Sequence, residues 1–197
     1  MNIAEVMDTI INGFKLMLLA CAILVSAWTL GTVTGDMQLA DYMTNAIGQT
    51  IPFGLIPFIV FLLGCVIAFS TGTSWGTMTI LTPIAIPLVY NMTGDAIAAV
   101  LMSGVVFSGA IFGDHCSPIS DTTVLSSIFS GADHMDHVGT QIPYALTVAS
   151  VAGLMYLLYG TLRLTPAVLI PLGLVLLAIL PRILHRIYAR KYGITTS

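Results

Sequence analysis

Two short segments of this 197-residue chain carry the side chains best suited to chemistry. The first is Ser70-Thr71-Gly72-Thr73-Ser74-Trp75-Gly76-Thr77, five hydroxyls interleaved with two glycines. Glycine lets the backbone bend so that carbonyls converge, and the hydroxyls of Ser70, Thr71, Thr73, Ser74 and Thr77 add neutral oxygen donors. Such a nest suits a hard cation such as sodium. Small residues also let membrane helices pack closely, which is the structural reading of the same hydroxyls. Their clustering at one interruption favours a site.

The second segment is Gly113-Asp114-His115-Cys116-Ser117-Pro118-Ile119-Ser120-Asp121-Thr122-Thr123. Asp114 and Asp121 lie seven positions apart, a spacing that shares a face on a continuous helix, and both are expected to face one cavity in an unwound segment. A desolvated carboxylate near neutral pH holds a proton or a metal cation but not both. That mutual exclusion is the simplest chemistry for exchanging protons against sodium. Ser117, Ser120 and Thr122 supply further oxygens, and His115 would modulate proton affinity because imidazole titrates near physiological pH. Asp121, ahead of Thr122-Thr123-Val124, has a second reading as a helix N-cap. Asp114 ends a helix, where a negative charge opposes the dipole.

Other chemistries fit less well. His115 and Cys116 are adjacent, and His134, Asp136 and His137 lack a paired cysteine motif, so no zinc site is expected and these histidines read as partly solvated loop residues. Ser117 or Ser120 with His115 and Asp121 makes a hydrolase only on paper, without a Gly-x-Ser-x-Gly elbow. The chain does not read as an enzyme. No cofactor is implied beyond transported sodium and protons.

The elements that must position these segments follow from composition. Only 8% of the chain is charged and 57% is hydrophobic, with mean hydropathy +0.98, where a soluble domain carries roughly 25% charge. Too few polar groups remain to cover a water-facing surface, so lipid takes its place. The fold class is therefore an all-α integral membrane protein. A net charge of −3 with six basic residues excludes a nucleic-acid partner. Cys21, Cys65 and Cys116 read as reduced packing residues. Glu5 and Asp8 near the start, with a long apolar stretch after them, argue against a cleaved signal.

A charge at the centre of a spanning helix costs about 2.5 to 3.5 kcal/mol, so spans are expected in the gaps between charges. These place helices at about 10–33, 141–159 and 166–184, a hairpin at 55–69/78–90 and a broken helix at 96–112/124–129, within one membrane domain of four to five spans. The hairpin arms are too short to cross about 30 Å of hydrocarbon, which predicts re-entry, with one broken crossing as the alternative. Pro118 lacks an amide hydrogen and disfavours helix at Ser117, so unwinding is expected across 113–123. Arg182, Arg186, Arg190 and Lys191 make 185–197 a basic tail, cytoplasmic by the positive-inside rule. The 133–139 loop is then inside and the hairpin opens outward.

Together with Thr140-Gln141-Ile142-Pro143-Tyr144, the two motifs resemble the C-terminal half of the NhaC family of sodium/proton antiporters, over about residues 13–159. The resemblance implies a secondary transporter of the cell membrane, in which two inverted repeats each supply a re-entrant hairpin and a broken helix and the ions bind where the repeats meet. It implies that this chain corresponds to one repeat, half of a family member. Exchange of malate or lactate along with cations is an alternative that the same resemblance carries, and a non-transporting subunit is another. Unwound backbone cannot face lipid, and three whole helices make poor walls for two breaks. A homodimer or a complementary second half is expected.

Overall fold

Capping residues set the ends of the helices in the computed structural model, which describes residues 2–38, 41–42, 45–46 and 51–192. The helices are α1 (Ile3–Asp36), α2 (Ile56–Thr71), α3 (Ser74–Thr93), α4 (Ala96–Cys116), α5 (Asp121–Ser130), α6 (His134–Leu162) and α7 (Pro166–Tyr192), with a 3₁₀ turn at Phe53–Leu55 ahead of α2. Asp95 caps α4 by accepting the Ile97 amide at 2.8 Å, and Asp133 caps α6 by accepting the amides of Met135 and Asp136. Arg163 ends α6 in left-handed geometry. The charges that delimit the apolar gaps thus double as helix punctuation, satisfying amides that would otherwise be orphaned. No strand occurs among the described residues.

Both interruptions are shorter than the sequence predicts. The tip between α2 and α3 is only Gly72-Thr73, because Ser74, Trp75, Gly76 and Thr77 already form the first turn of α3. The expected unwinding across 113–123 is confined to 117–120; Gly113 to Cys116 stay helical and Asp121 starts α5. Polar residues keep helical hydrogen bonds wherever no proline intervenes, and Pro118 is the only proline in this stretch. The expected 133–139 loop is the first turns of α6, and most of the expected 185–197 tail is helix, since α7 runs to Tyr192. The packing expected of Cys21, and the side chains of Arg186, Arg190 and Lys191, lie outside what is described.

α2, α3 and α4 form the centre. The end of α2 meets the end of α4, where Ser117 donates to the Phe69 carbonyl at 2.7 Å, and the start of α3 meets that same end through Ser74 and Asp114. So α2 and α4 run in parallel and α3 runs against them, a helical hairpin clasping α4 rather than a single broken crossing. Phe61, Val89, Met102 and Val106 fill the space between them. α6 lies against α2 and α4, with Tyr156 stacked at 5.2 Å on Phe61 and bonded to Ser108. α7 packs on α6, α5 on α4 and α6, and α1 on α3.

Close approach of α2 and α4 rests on small residues at four-residue spacing, Gly64 and Ala68 against Gly109 and Gly113. Outward faces are apolar: Ile97, Val100, Ile170 and Leu174 are each more than 60% exposed, the surface of a protein solvated by lipid. Phe53–Thr71, Ala96–Cys116 and His134–Leu162 are long and apolar enough to cross a membrane, and Pro166–Arg182 is a shorter apolar helix. The expected shortness of the hairpin arms is therefore not met: the 3₁₀ turn lengthens the first arm, and the polar first turn of α3 brings the second to 20 residues.

A Cβ on Gly109 would stand 2.5 Å from the Phe61 carbonyl oxygen, and one on Gly113 would collide with the Phe69 amide and lie 2.7 Å from the Cys65 carbonyl oxygen. Backbone cannot step aside as a side chain can. Gly113→Ala is expected to lower stability in detergent by at least about 1–3 kcal/mol. Gly104→Ala on the same helix, where a Cβ meets nothing within 4 Å, is expected to gain about 0.5–1 kcal/mol. Thermal unfolding of the two variants checks the contrast.

Candidate functional site

The site is built around one carboxylate. Asp114 stands in the last turn of α4 and is only 7% exposed. Its Oδ1 accepts the Ser120 hydroxyl at 2.5 Å and its Oδ2 accepts the Ser74 hydroxyl at 3.3 Å. Thr123 donates to its backbone carbonyl at 3.3 Å. Ser120 and Thr122 share a further hydrogen bond of 2.8 Å. An ionised carboxylate only accepts, so the chain of donors then runs Thr122 to Ser120 to Asp114. Ser74 opens α3 and Ser120 precedes α5, so two helix N-termini converge on this carboxylate.

Local sequence explains why the break can serve this purpose. Pro118 stops α4, and Ser117, wholly buried, closes it by donating its backbone N–H to the Gly113 carbonyl at 3.0 Å. Ser120 occupies the N-cap position of α5 with extended geometry, yet its hydroxyl makes no capping bond. It is turned to Asp114 instead. Losing an N-cap costs about 1 kcal/mol, so the helix end gives up stability to the carboxylate bond. On the hairpin side Gly72 adopts φ of 68°, and a Cβ there would lie 2.7 Å from the Ile119 carbonyl oxygen. The left-handed turn and the close approach both call for glycine. Tip and break are thereby in contact.

The remaining expected residues are placed differently. Thr71 donates to the Ile67 carbonyl and Thr77 to the Thr73 carbonyl, while the Thr73 hydroxyl caps α3 by accepting the Gly76 amide at 3.4 Å. These three hydroxyls serve the local backbone, and Ser74 is the tip hydroxyl that reaches the carboxylate. Ser70 is exposed beside a mainly apolar cavity that also borders Cys65, Cys116 and Ile142. Asp121 is exposed and accepts the Thr122 amide at 2.8 Å. The expectation that Asp114 and Asp121 face one cavity is therefore not met: the break rotates α5 out of register with α4, and only Asp114 turns inward. The predicted cap position also shifts by one, to Ser120. His115 is exposed.

Thr123, Ser127 and His134 were not singled out by the sequence as parts of the site. Thr123 lies in the motif itself, and its signal is position one turn into α5. His134 has no local signal, because its partners are 7 and 16 residues away. It is a bonded residue of α6 and not a loop histidine.

A family model described as the Na+/H+ antiporter family matches residues 1–161. The chain belongs to the Na+/H+ antiporter family. It is thus a membrane protein of a transporter family, and the family points away from enzymes. An uncharacterized protein of Haemophilus influenzae is 44% identical over 159 residues, covering 81% of this chain and 30% of the relative. The malate-2H(+)/Na(+)-lactate antiporter of Bacillus subtilis is 29% identical over 164 residues, 79% of this chain and 33% of the relative. The arginine/ornithine antiporter ArcD of Halobacterium salinarum is 34% identical over 130 residues, 58% and 26% respectively. The chain spans about a third of the length of the curated relatives it matches, less than the half implied by the sequence resemblance. No solved structure matches.

Ser120→Ala is expected to leave a buried carboxylate oxygen short of its donor and to cost about 1–3 kcal/mol. Asp121→Asn, at an exposed position, is expected to change stability by about 0.5 kcal/mol or less. Chemical unfolding of the chain in mild detergent, read by circular dichroism, measures both.

Proposed function

We propose that the Asp114 cluster is a sodium/proton exchange site, and that the chain is part of an antiporter of the cytoplasmic membrane. The observation that carries the reading is a buried carboxylate bonded by hydroxyls from two separate helix interruptions, Ser120 from the break and Ser74 from the hairpin. With the proton bound, the carboxyl is neutral. With the proton gone, the charge is balanced by sodium held between the carboxylate and neutral oxygens. Occupancy by one excludes the other, which couples two opposite fluxes without a covalent step.

Ser74, Ser120 and Thr122 are the neutral oxygens nearest the carboxylate in this arrangement. Thr73, Thr77, Ser117, Ser70 and Thr71 shape the tip and break and become ligands only if the local helix ends open. Asp121 is a second carboxylate at the surface of α5, and His115 is an exposed modulator beside Asp114. The cavity at the tip borders Ile142, six positions beyond Asp136, or about 9 Å along the helix axis. This depth favours a tip within the membrane, as in one repeat of an NhaC-like protein, and it is the tip's depth rather than the length of the arms on which a re-entrant reading rests. The basic residues of α7 support a cytoplasmic C-terminal end. The matched segment is only about a third of the relatives, so the walls around the break come from residues beyond those described, and a second copy or a complementary second half is the partner this reading takes.

Organic-acid exchange is the second reading, favoured by the name of the Bacillus subtilis relative. Against it, Arg163 lies over the Phe53 ring at 4.0 Å and Arg182 donates to the Ala178 carbonyl, so neither stands at the cluster.

Sodium added to proton-loaded vesicles carrying the competent complex is expected to drive alkalinisation of the lumen, and Asp114→Asn is expected to abolish it. In the purified chain, sodium at about 100 times its dissociation constant should stabilise by about 2.7 kcal/mol, and potassium or choline at equal ionic strength should not. Exchange persisting in Asp114→Asn rejects the site. Stimulation that requires malate or lactate selects the organic-acid reading.

A further inference from the structure

The histidine at the start of α6 holds the break in place. His134 Nε2 lies 2.7 Å from the Pro118 carbonyl oxygen, and its Nδ1 lies 3.0 Å from the Ser127 hydroxyl. One ring therefore ties three elements together: α6, which carries it; the 117–120 break; and α5. A carbonyl oxygen only accepts, so Nε2 must carry hydrogen. Nδ1 faces a hydroxyl, which can either donate or accept. Ser127 also lies 2.8 Å from the Val124 carbonyl oxygen. With neutral imidazole, Ser127 donates to Nδ1. With imidazolium, Nδ1–H donates to Ser127, whose own hydrogen turns to Val124. Rotating a single hydroxyl keeps the ring bonded in both states.

We propose that His134 is a positioning residue for the Asp114 site: it fixes the Pro118 carbonyl, and through the two-residue link from Pro118 to Ser120 it fixes the hydroxyl bonded to Asp114, more tightly when the ring is protonated. Charge-assisted hydrogen bonds are roughly twice as strong as neutral ones. Acid therefore clamps Ser120 onto Asp114, and alkali loosens it. The groups facing the ring from the packed elements are neutral, Ser127 from α5 and the Pro118 carbonyl from the break. The titratable groups on those elements are Asp121 on α5, Asp114, His115 and Cys116 on α4, and exposed Asp136 on its own helix, and none of their side chains shares a hydrogen bond with His134. On its own helix, Asp133 is engaged by the amides of Met135 and Asp136, and His137 bonds Ser126 at 3.2 Å.

The consequence for transport rests on the exchange-site reading above; the clamp itself does not, and the experiment separates them. Hydrogen–deuterium exchange of the 117–124 peptide in the full chain in detergent, normalised to intrinsic rates, reads the clamp directly. Protection of the native chain is expected to rise about fivefold from pH 8 to pH 5. His134→Gln keeps a donor to Pro118 but cannot titrate, so its protection should be independent of pH and near the native alkaline value. His134→Leu should fall below the native alkaline value at every pH, and His115→Gln and His137→Gln should keep the native rise. In the exchange assay, His134→Gln should lose the matching limb of the pH profile. A pH-independent native peptide, or a rise retained in His134→Gln, overturns the proposal. A native rise that His134→Gln abolishes, in a chain without sodium exchange, sustains the clamp and rejects the exchange site instead.

Discussion

Everything at the site depends on how closely α2 and α4 approach. Gly109 and Gly113 remove side chains from one helix where Gly64 and Ala68 present the other, and backbone meets backbone. In a lipid-facing protein no hydrophobic gain separates helix–helix from helix–lipid contact, so dispersion between closely fitted surfaces has to hold the pair. That fit also fixes the level at which α2 ends beside α4. The Phe69 carbonyl falls within reach of Ser117, and Gly72 comes to rest against Ile119. The hairpin tip and the helix break are brought together by a stripe of small residues one to two turns away from them.

A buried carboxylate is the cost of this arrangement, and the surroundings are organised to offset it. Asp114 sits at the end of a helix whose dipole opposes it. Two other helices begin there, each contributing a serine, so that hydroxyl dipoles and helix N-termini replace water around the charge. Satisfying a buried charge this way forgoes something else, here the capping bond that Ser120 would make to its own helix. The short helix α5 is held instead from outside, by the serine–histidine contacts at Ser126 and Ser127.

Family membership and geometry bear on different questions. The match over residues 1–161 makes the chain a member of a transporter family, while relatives that carry different substrates in their names share its sequence. What those relatives share with this chain is sequence over about a third or less of their own length. The groups that choose a substrate need not lie within a third of the molecule.

The sequence by itself determined the solvent and the punctuation. An 8% charge content leaves no polar surface to face water, and Pro118 together with Gly72 weakens the helix where it stops, because one lacks a donor and the other tolerates left-handed geometry. These are local properties and are legible without neighbours. Interruption lengths were not legible, since serine, threonine and aspartate stay helical when packing supports them, as Ser74 and Asp114 do. Nor could spacing alone separate Asp114 from Asp121. Equal in chemistry and seven residues apart, they are distinguished only when four non-helical residues turn α5 away and bury one of them. Ser74 and His134 join the site across 40 and 16 residues of chain. Such contacts exist only after helices pack, and so tertiary structure decided which carboxylate, which hydroxyls and which histidine form the site.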